Sequence, residues 1–179
     1  MIVLVIEEAG YKEALLGIRL SYNSKTENLH PRSILLASQD SGHNKFLESI
    51  VMWLDITAPR FWWQQFDTYR AGVTKQSQST MHTLYNHTFI QDNFETYIPA
   101  ALLDILNKYK DQPELKGMLP ESFLQRRIVC TNYKVIRHII KQRFTHKLKQ
   151  WQHFIYAIHS QCSYPEYLND LFPQEEVND

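Results

Sequence analysis

Apolar and polar positions along the chain switch between two periods, and each switch marks an element. Residues 1–7, Met1-Ile2-Val3-Leu4-Val5-Ile6 and then Glu7, form an apolar run of strand length. Residues 10–21 place Ala14, Leu15 and Ile18 at three-to-four spacing, with Tyr22 next in line, which predicts a helix with one buried face. The polar stretch 24–31 reads as a loop. A short helix is expected at 32–39, closed by Ser41-Gly42. The run Ser49-Ile50-Val51-Met52-Trp53-Leu54-Asp55-Ile56 predicts a buried strand. Ala58-Pro59 opens a helix, because proline's fixed φ suits a first helical position; that helix carries Phe61, Trp62, Gln65 and Phe66.

Residues 65–82 break the pattern. All but Val73 are polar, aromatic, small or methionine. Loops longer than about 12 residues are commonly functional, so this stretch reads as a loop that grips a polar, phosphorylated ligand. Residues 83–95 have no firm period. Over 97–110, Ile98, Ala101, Leu102, Ile105 and Tyr109 recur at helical spacing. Residues 111–117 connect, Leu119-Pro120 begins a new element, and 127–131 suits a short strand or part of a helix. Asn132 is placed to cap a helix over 133–146. A further helix carries Leu148, Trp151, Ile155 and Ile158 on one face. The order of elements predicts an α+β fold, a mixed sheet with flanking helices. It forms one domain over 1–165 and a tail over 166–179 that frays at its end.

Composition narrows the function. The 179 residues are 44% hydrophobic with zero net charge, which argues against a broad surface for a nucleic-acid polymer or an anionic membrane. Lysine and arginine cluster between Lys108 and Lys149, which still allows a local cationic pocket. Cys130 and Cys162 have no zinc-type spacing and read as free thiols in a reducing cytoplasm. The N-terminal run lacks a basic start and a cleavage site, so a strand is expected there and not a signal peptide. No apolar run approaches the roughly 20 residues of a membrane span.

A few residues carry chemistry. Arg143 lies about 20° from Ile136 and about 40° from Ile139 on a helical wheel, inside the apolar stripe of its own helix. A buried guanidinium is costly without an anion or an electron-rich ligand. An acidic partner in the core, or a side chain stretched out to water, would satisfy it as well. Lys134, His138 and Lys141 share the opposite face. His43 follows a Ser-Gly step, and Ser77-Gln78-Ser79-Thr80 offers hydroxyls and an amide suited to phosphate or base edges. The chain has no GxGxxG, no GxxxxGK[ST] and no GxSxG motif, and no cysteine has an activating neighbour. If the chain is an enzyme, a bound cofactor supplies the hard chemistry.

The spacing of these residues resembles the flavin-dependent thymidylate synthases. That family carries a His about 25 residues before an Arg-His-Arg triplet, and a Gln three before it; here His43, Gln65 and Thr68-Tyr69-Arg70 hold that register. Pro59 matches an Ala-Pro-like turn. In the C-terminal half, Lys116, Leu119-Pro120, Asn132-Tyr133-Lys134, His138 and Arg143 match a second block without gaps. The resemblance covers residues 40–160.

It implies an α+β homotetramer with active sites shared between subunits. FAD takes part in moving a methylene from methylenetetrahydrofolate to C5 of dUMP, NADPH reduces the flavin, and no enzyme nucleophile is needed. Arg143 would stabilise charge at the uracil edge. Gln65, Ser79 and Lys116 would hold the nucleotide, helped by Lys75, Ser77 and Gln78. His43, Lys45, Thr68, Tyr69, Arg70, Asn132, Lys134 and His138 would line the flavin. No metal is implied. The triplet departs from the family at Thr68-Tyr69, and the family's Ser-x-Asn-Glu-x-Ser-x-Arg-Tyr continuation is degraded over 73–82. Ser79 matches the nucleotide-binding serine with a one-residue insertion, and Gln78 takes that place without it. In either register the following arginine is lost, with Lys75 the nearest replacement charge. Two other functions stay open: a different C5 modification such as hydroxymethylation, and a nucleotide-binding homologue without catalysis.

Overall fold

The computed structural model describes residues 1–21, 23, 28–39, 42–85 and 87–173. Tyr22, Ser41, positions 24–27 of the loop expected over 24–31, and the frayed end expected at 174–179 lie outside them; the last two positions of that loop, His30 and Pro31, open a helix. Four strands form one sheet in the order β1-β2-β4-β3: β1 (Ile2–Ala9), β2 (Val51–Pro59), β3 (Thr74–Ser77) and β4 (Leu124–Asn132). The helices are α1 (Tyr11–Ser21), α2 (His30–Ser38), α3 (Arg60–Phe66), α4 (Thr80–Thr83), α5 (Ala100–Lys108), α6 (Leu115–Met118), α7 (Tyr133–Arg143) and α8 (Lys149–Gln161). The α+β expectation holds. The sheet, however, is antiparallel at every pairing and not mixed, because each connection between neighbouring strands returns the chain in the opposite direction. A parallel pair would need a crossover that brings the chain round in the same direction.

The register puts Val3, Met52, Leu54, Ile56 and Val129 on one face of the sheet, all buried against the helices. Trp62, Trp63 and Phe66 of α3 fill that layer with Trp151 and Phe154 of α8. Trp62 stands 4.8 Å from Trp151 and 5.0 Å from Phe66, ring centroid to centroid. Pro59 precedes α3 and offers no capping side chain; the carbonyls of Phe123 and Glu121 take the first two N–H groups of the helix instead, at 3.1 Å each. On the outer face of the sheet Ile2, Leu4 and Trp53 are exposed, beside an Asp55–Arg126 ion pair.

Three expectations change. Residues 65–82 are not one loop: α3 runs through Phe66, and Thr74–Ser77 pairs with β4 as an edge strand. An edge strand with polar side chains on both faces gives no apolar alternation to read. The second amphipathic helix spans Ala100–Lys108 and buries Leu106, with Leu102 and Leu103 partly covered; Ile105, expected inside, is 44% exposed and Tyr109 is exposed as well. Ile98, from which that stripe was phased, precedes the helix and so does not share its rotation. This helix packs in a satellite cluster with Phe89, Phe94, Leu115 and Phe123. Finally, the segment after Ser163 forms two 3-10 turns, Pro165–Tyr167 and Asn169–Leu171, where a tail is expected from 166; Tyr167 and Leu168 are fully buried.

Candidate active site

The site grows from the junction of β4 with α7. Asn132 ends the strand in an extended conformation, and its Oδ1 accepts a hydrogen bond from Val135 N at 3.0 Å, which caps α7. Across from it, the turn after α3 passes through Gly72 at φ +69°. A Cβ at Gly72 would lie 2.9 Å from Val135 Cγ2 and 3.1 Å from Asn132 Nδ2, so only glycine lets the turn approach the helix start this closely. Between turn and helix lies a cavity of about 580 Å³, within the roughly 300–1,000 Å³ usual for small-molecule sites. Thr68, Tyr69, Arg70, Asn132, Lys134 and His138 line it. Six of the eight residues expected around the flavin therefore share one cavity. The other two, His43 and Lys45, line a neighbouring cavity of about 670 Å³, and Glu48 stands in the wall of both.

The cavity suits a flat aromatic group that carries phosphate. Tyr69 supplies an aromatic wall and Gly72 a close backbone approach. Arg70 is an exposed cation, and Lys134 is a cation held by Glu48 Oε1 at 2.6 Å. Thr68, in the triplet's first position, turns its hydroxyl back to the Gln65 carbonyl at 2.7 Å and closes the end of α3.

Behind Tyr69 stands Arg143, half-buried at the C-terminal end of α7. Its Nε donates to Tyr69 Oη at 2.8 Å, and its Nη1 reaches toward Gln65 Oε1 at 3.5 Å. The guanidinium lies over the Trp151 ring at 4.8 Å and the Tyr69 ring at 5.6 Å. No carboxylate among the described residues pairs with it. The acidic core partner that sequence allowed for Arg143 belongs to Arg137, which is buried and bound to Asp170. Gln65 is fixed in turn: its Oε1 accepts from Trp151 Nε1 at 2.9 Å.

The remaining expected substrate residues lie apart from this group. Lys116 lines a third cavity of about 380 Å³ with Thr80, Tyr85 and Lys110, and that cavity shares no lining residue with the one at Tyr69. Ser77 is exposed at the end of β3, Gln78 extends the ladder by donating to the Arg126 carbonyl at 3.0 Å, and Ser79 precedes α4, its carbonyl accepting from Thr83. Lys75, the nearest replacement for the lost arginine, is held by Asp67 Oδ1 at 2.8 Å. Sequence reasoning missed Asp67, Glu48, Gln142 and the placing of Trp151 beside Arg143. The first three carry no periodic signal, and Trp151 is legible only as a core position of α8.

Asp67 accepts from both Lys75 and Arg127 Nη1, the latter at 3.0 Å. Burial works against its charge, yet the hydrogen bonds from Lys75 and Arg127 outweigh it and hold the carboxyl below its ordinary range. A carboxylate with a depressed folded pKa stabilises fully above its unfolded value of about 3.9. That stabilisation is lost as pH falls through the folded value. Asp67→Asn is therefore less stable than the parent at pH 7, and the difference shrinks as pH drops below about 4. Urea midpoints at pH 7, 4 and 3 test this; a difference that stays constant would refute the assignment.

Neither thiol belongs to the site. Cys130 and Cys162 are free, and burial pushes the Cys162 thiol up to about 11. Among the described residues no group of three or more His, Cys, Asp or Glu side chains is placed to hold a metal, and no helix is long and apolar enough to cross a membrane.

The fold is one that the chain shares with solved flavin-dependent thymidylate synthases. One matching structure is thymidylate synthase X (ThyX) from Helicobacter pylori with FAD and dUMP: TM-score 0.77 and 16% identity, over 96% of this chain and 99% of that one. A second structure of the H. pylori flavin-dependent enzyme, also complexed with FAD and dUMP, matches with TM-score 0.78 and 16% identity, over 97% of this chain and 100% of that one. No protein-family model matches the chain, and no curated protein matches it in sequence.

Proposed function

We propose that the chain is a FAD-dependent thymidylate synthase-like enzyme that methylates C5 of dUMP, with methylenetetrahydrofolate as the one-carbon donor and NADPH as reductant. The observation that carries this reading is Arg143: a half-buried guanidinium with no carboxylate partner among the described residues, held beside Gln65 and one tyrosine away from the candidate cofactor cavity. Thr68, Tyr69, Arg70, Asn132, Lys134 and His138 would hold FAD, with His43 and Lys45 in the adjoining cavity. When bound, FAD supplies the reducing equivalents that NADPH delivers. Arg143 would face the uracil edge and stabilise negative charge on the ring as C5 becomes nucleophilic and later gives up its proton. A fixed cation in a water-poor site acts on that charge without reorganising.

The active unit in this reading is a cytoplasmic homotetramer with shared sites. Two observations support it. Lys116, the expected phosphate ligand, lines a cavity that shares no residue with the one at Tyr69, as suits a nucleotide site completed by the Lys116 of another copy. The outer sheet face also leaves Ile2, Leu4 and Trp53 exposed and available to a second copy. One observation favours a second reading, a different C5 modification: Lys75 is occupied by Asp67, so the segment at 77–80 has lost the family's cation without gaining a free one.

The absorption spectrum of the purified protein is the first test. Flavin absorbance, present or acquired on adding FAD and bleached by NADPH, is the expected result. Colourless protein that takes up no FAD would overturn both enzyme readings and leave the non-catalytic one. Product mass from dUMP and methylenetetrahydrofolate then separates methylation from hydroxymethylation.

A further inference from the structure

Tyr69 does two things at once. The residue is 7% exposed; its ring stands edge-on to Phe66, Trp151 and His138, each about 6.1 Å away, and it lines the candidate cofactor cavity. Its hydroxyl emerges on the other side, at the end of α7. There it lies 2.8 Å from Arg143 Nε and 2.9 Å from Gln142 Oε1. The direction of these bonds is forced. A guanidinium only donates, so the hydroxyl accepts from Arg143 and its single proton goes to Gln142. The turn that carries Tyr69 is fixed in its own right, since Tyr69 N donates to the Phe66 carbonyl at 3.0 Å.

We propose that Tyr69 is the positioning residue of Arg143: by holding Nε, its hydroxyl leaves the terminal guanidinium nitrogens as donors beside Gln65, aimed at a ligand carbonyl edge. The inference rests on the proposed substrate, a pyrimidine nucleotide, but the contact itself does not. An arginine has several rotatable bonds and gains by swinging its head into water. Stacking on Trp151 limits the plane of the guanidinium without fixing its rotation in that plane. The hydroxyl at Nε, with Gln65 Oε1 at Nη1, fixes the rotation. Tyr69 therefore does not meet the substrate; it acts through Arg143.

Tyr69→Phe keeps the ring and removes the hydroxyl. Each variant is first saturated with FAD and its occupancy checked by absorbance, so that dUMP binding is compared at equal cofactor loading. The affinity for dUMP, read from tryptophan fluorescence in FAD-loaded protein without folate or NADPH, should fall about ten-fold, as expected for losing a hydrogen bond to a charged group. In the Arg143→Ala background the same Tyr69→Phe change should alter dUMP affinity by less than about two-fold, because the residue it positions is gone. An equal loss in both backgrounds, or no loss in the first, overturns the proposal. Gln142→Ala, at an exposed position, is the second variant; it removes the acceptor of the tyrosine proton and should weaken dUMP with the same dependence on Arg143. The ¹⁵Nε–H resonance of Arg143, read without ligand, should be protected from solvent exchange in the parent and lose that protection in Tyr69→Phe. Parent protein that binds no dUMP refutes the substrate reading. The resonance then decides the Tyr69–Arg143 contact by itself, and equal exchange in both proteins rejects it.

Discussion

Arg143→Ala loses turnover of dUMP by about 10²–10³-fold or more, the usual effect of deleting one fixed charge-stabilising donor, and keeps its fold and assembly. The two halves of this expectation have separate causes. Catalysis suffers because the guanidinium is the cation that Tyr69 holds beside Gln65 at the end of α7, and the substitution removes it. The fold survives because the partners of Arg143 keep other partners. Tyr69 still donates to Gln142, and Gln65 Oε1 still accepts from Trp151 Nε1. No buried group is orphaned, and the stack on Trp151 is lost from a half-buried position only. Arg143→Lys should recover little, since an ammonium cannot engage Tyr69 through Nε while presenting a second edge to a ligand. The measurements are kcat under saturating dUMP, elution volume, and thermal unfolding of each variant. Turnover near that of the parent would refute the role of Arg143; lost turnover with a lower unfolding temperature and a changed elution volume would show that the residue is structural.

How much of this was legible in the sequence differs residue by residue. Arg143 was legible because a helix has a fixed period, and a cation in an apolar stripe contradicts that period unless something compensates. Asn132 was legible for a similarly local reason, since a cap needs only its own side chain and the next turn. Ala14 and Ile18 of α1, and Trp151, Ile155 and Ile158 of α8, were read correctly from periodicity and are buried as expected. The cavity at Tyr69 was legible only through the spacing of a family pattern, because it joins a turn after α3 to a helix some sixty residues later. What could not be read is what depends on backbone pairing or on distant partners. The edge strand β3 is held by the hydrogen bonds of β4, and its side chains carry no apolar alternation. Glu48 reaches Lys134 across 86 positions, and nothing local marks either as one of a pair. The buried face of α5 was misplaced because its phase is set by packing on the satellite cluster, which the sequence does not display.

Asp170→Ala should cost about 3 kcal/mol of folding stability, the lower part of the range for breaking a buried ion pair. Arg137 sits on the flank of the α7 stripe, so periodicity gave no warning that it is more deeply buried than Arg143, at 2% against a half-exposed side chain. Its guanidinium donates to Asp170 through Nη1 at 2.5 Å and Nη2 at 2.7 Å, and to the Tyr167 carbonyl. Its Nε is buried with no hydrogen-bond partner among the described residues. Removing Asp170 leaves that charge in the core with one carbonyl for company. The side chain of Asp170 is 37% exposed, so water can approach once it is gone, which is why the lower figure is expected. The reverse change is milder. Arg137→Met removes an orphaned N–H along with the charge, fills the space with an apolar chain, and leaves Asp170 free to turn to solvent; its cost should be under about half that of Asp170→Ala. Urea denaturation of both variants gives the ordering directly. If Arg137→Met is the more damaging, the pair's worth lies in the carbonyl contact to Tyr167 and not in the charge of Asp170. The link matters to the site because α7 presents Arg137 to the C-terminal turns and Arg143 to Tyr69. A helix loosened at its buried cation therefore loses hold of the half-buried one, and Asp170→Ala should weaken dUMP binding at temperatures where the fold is still intact.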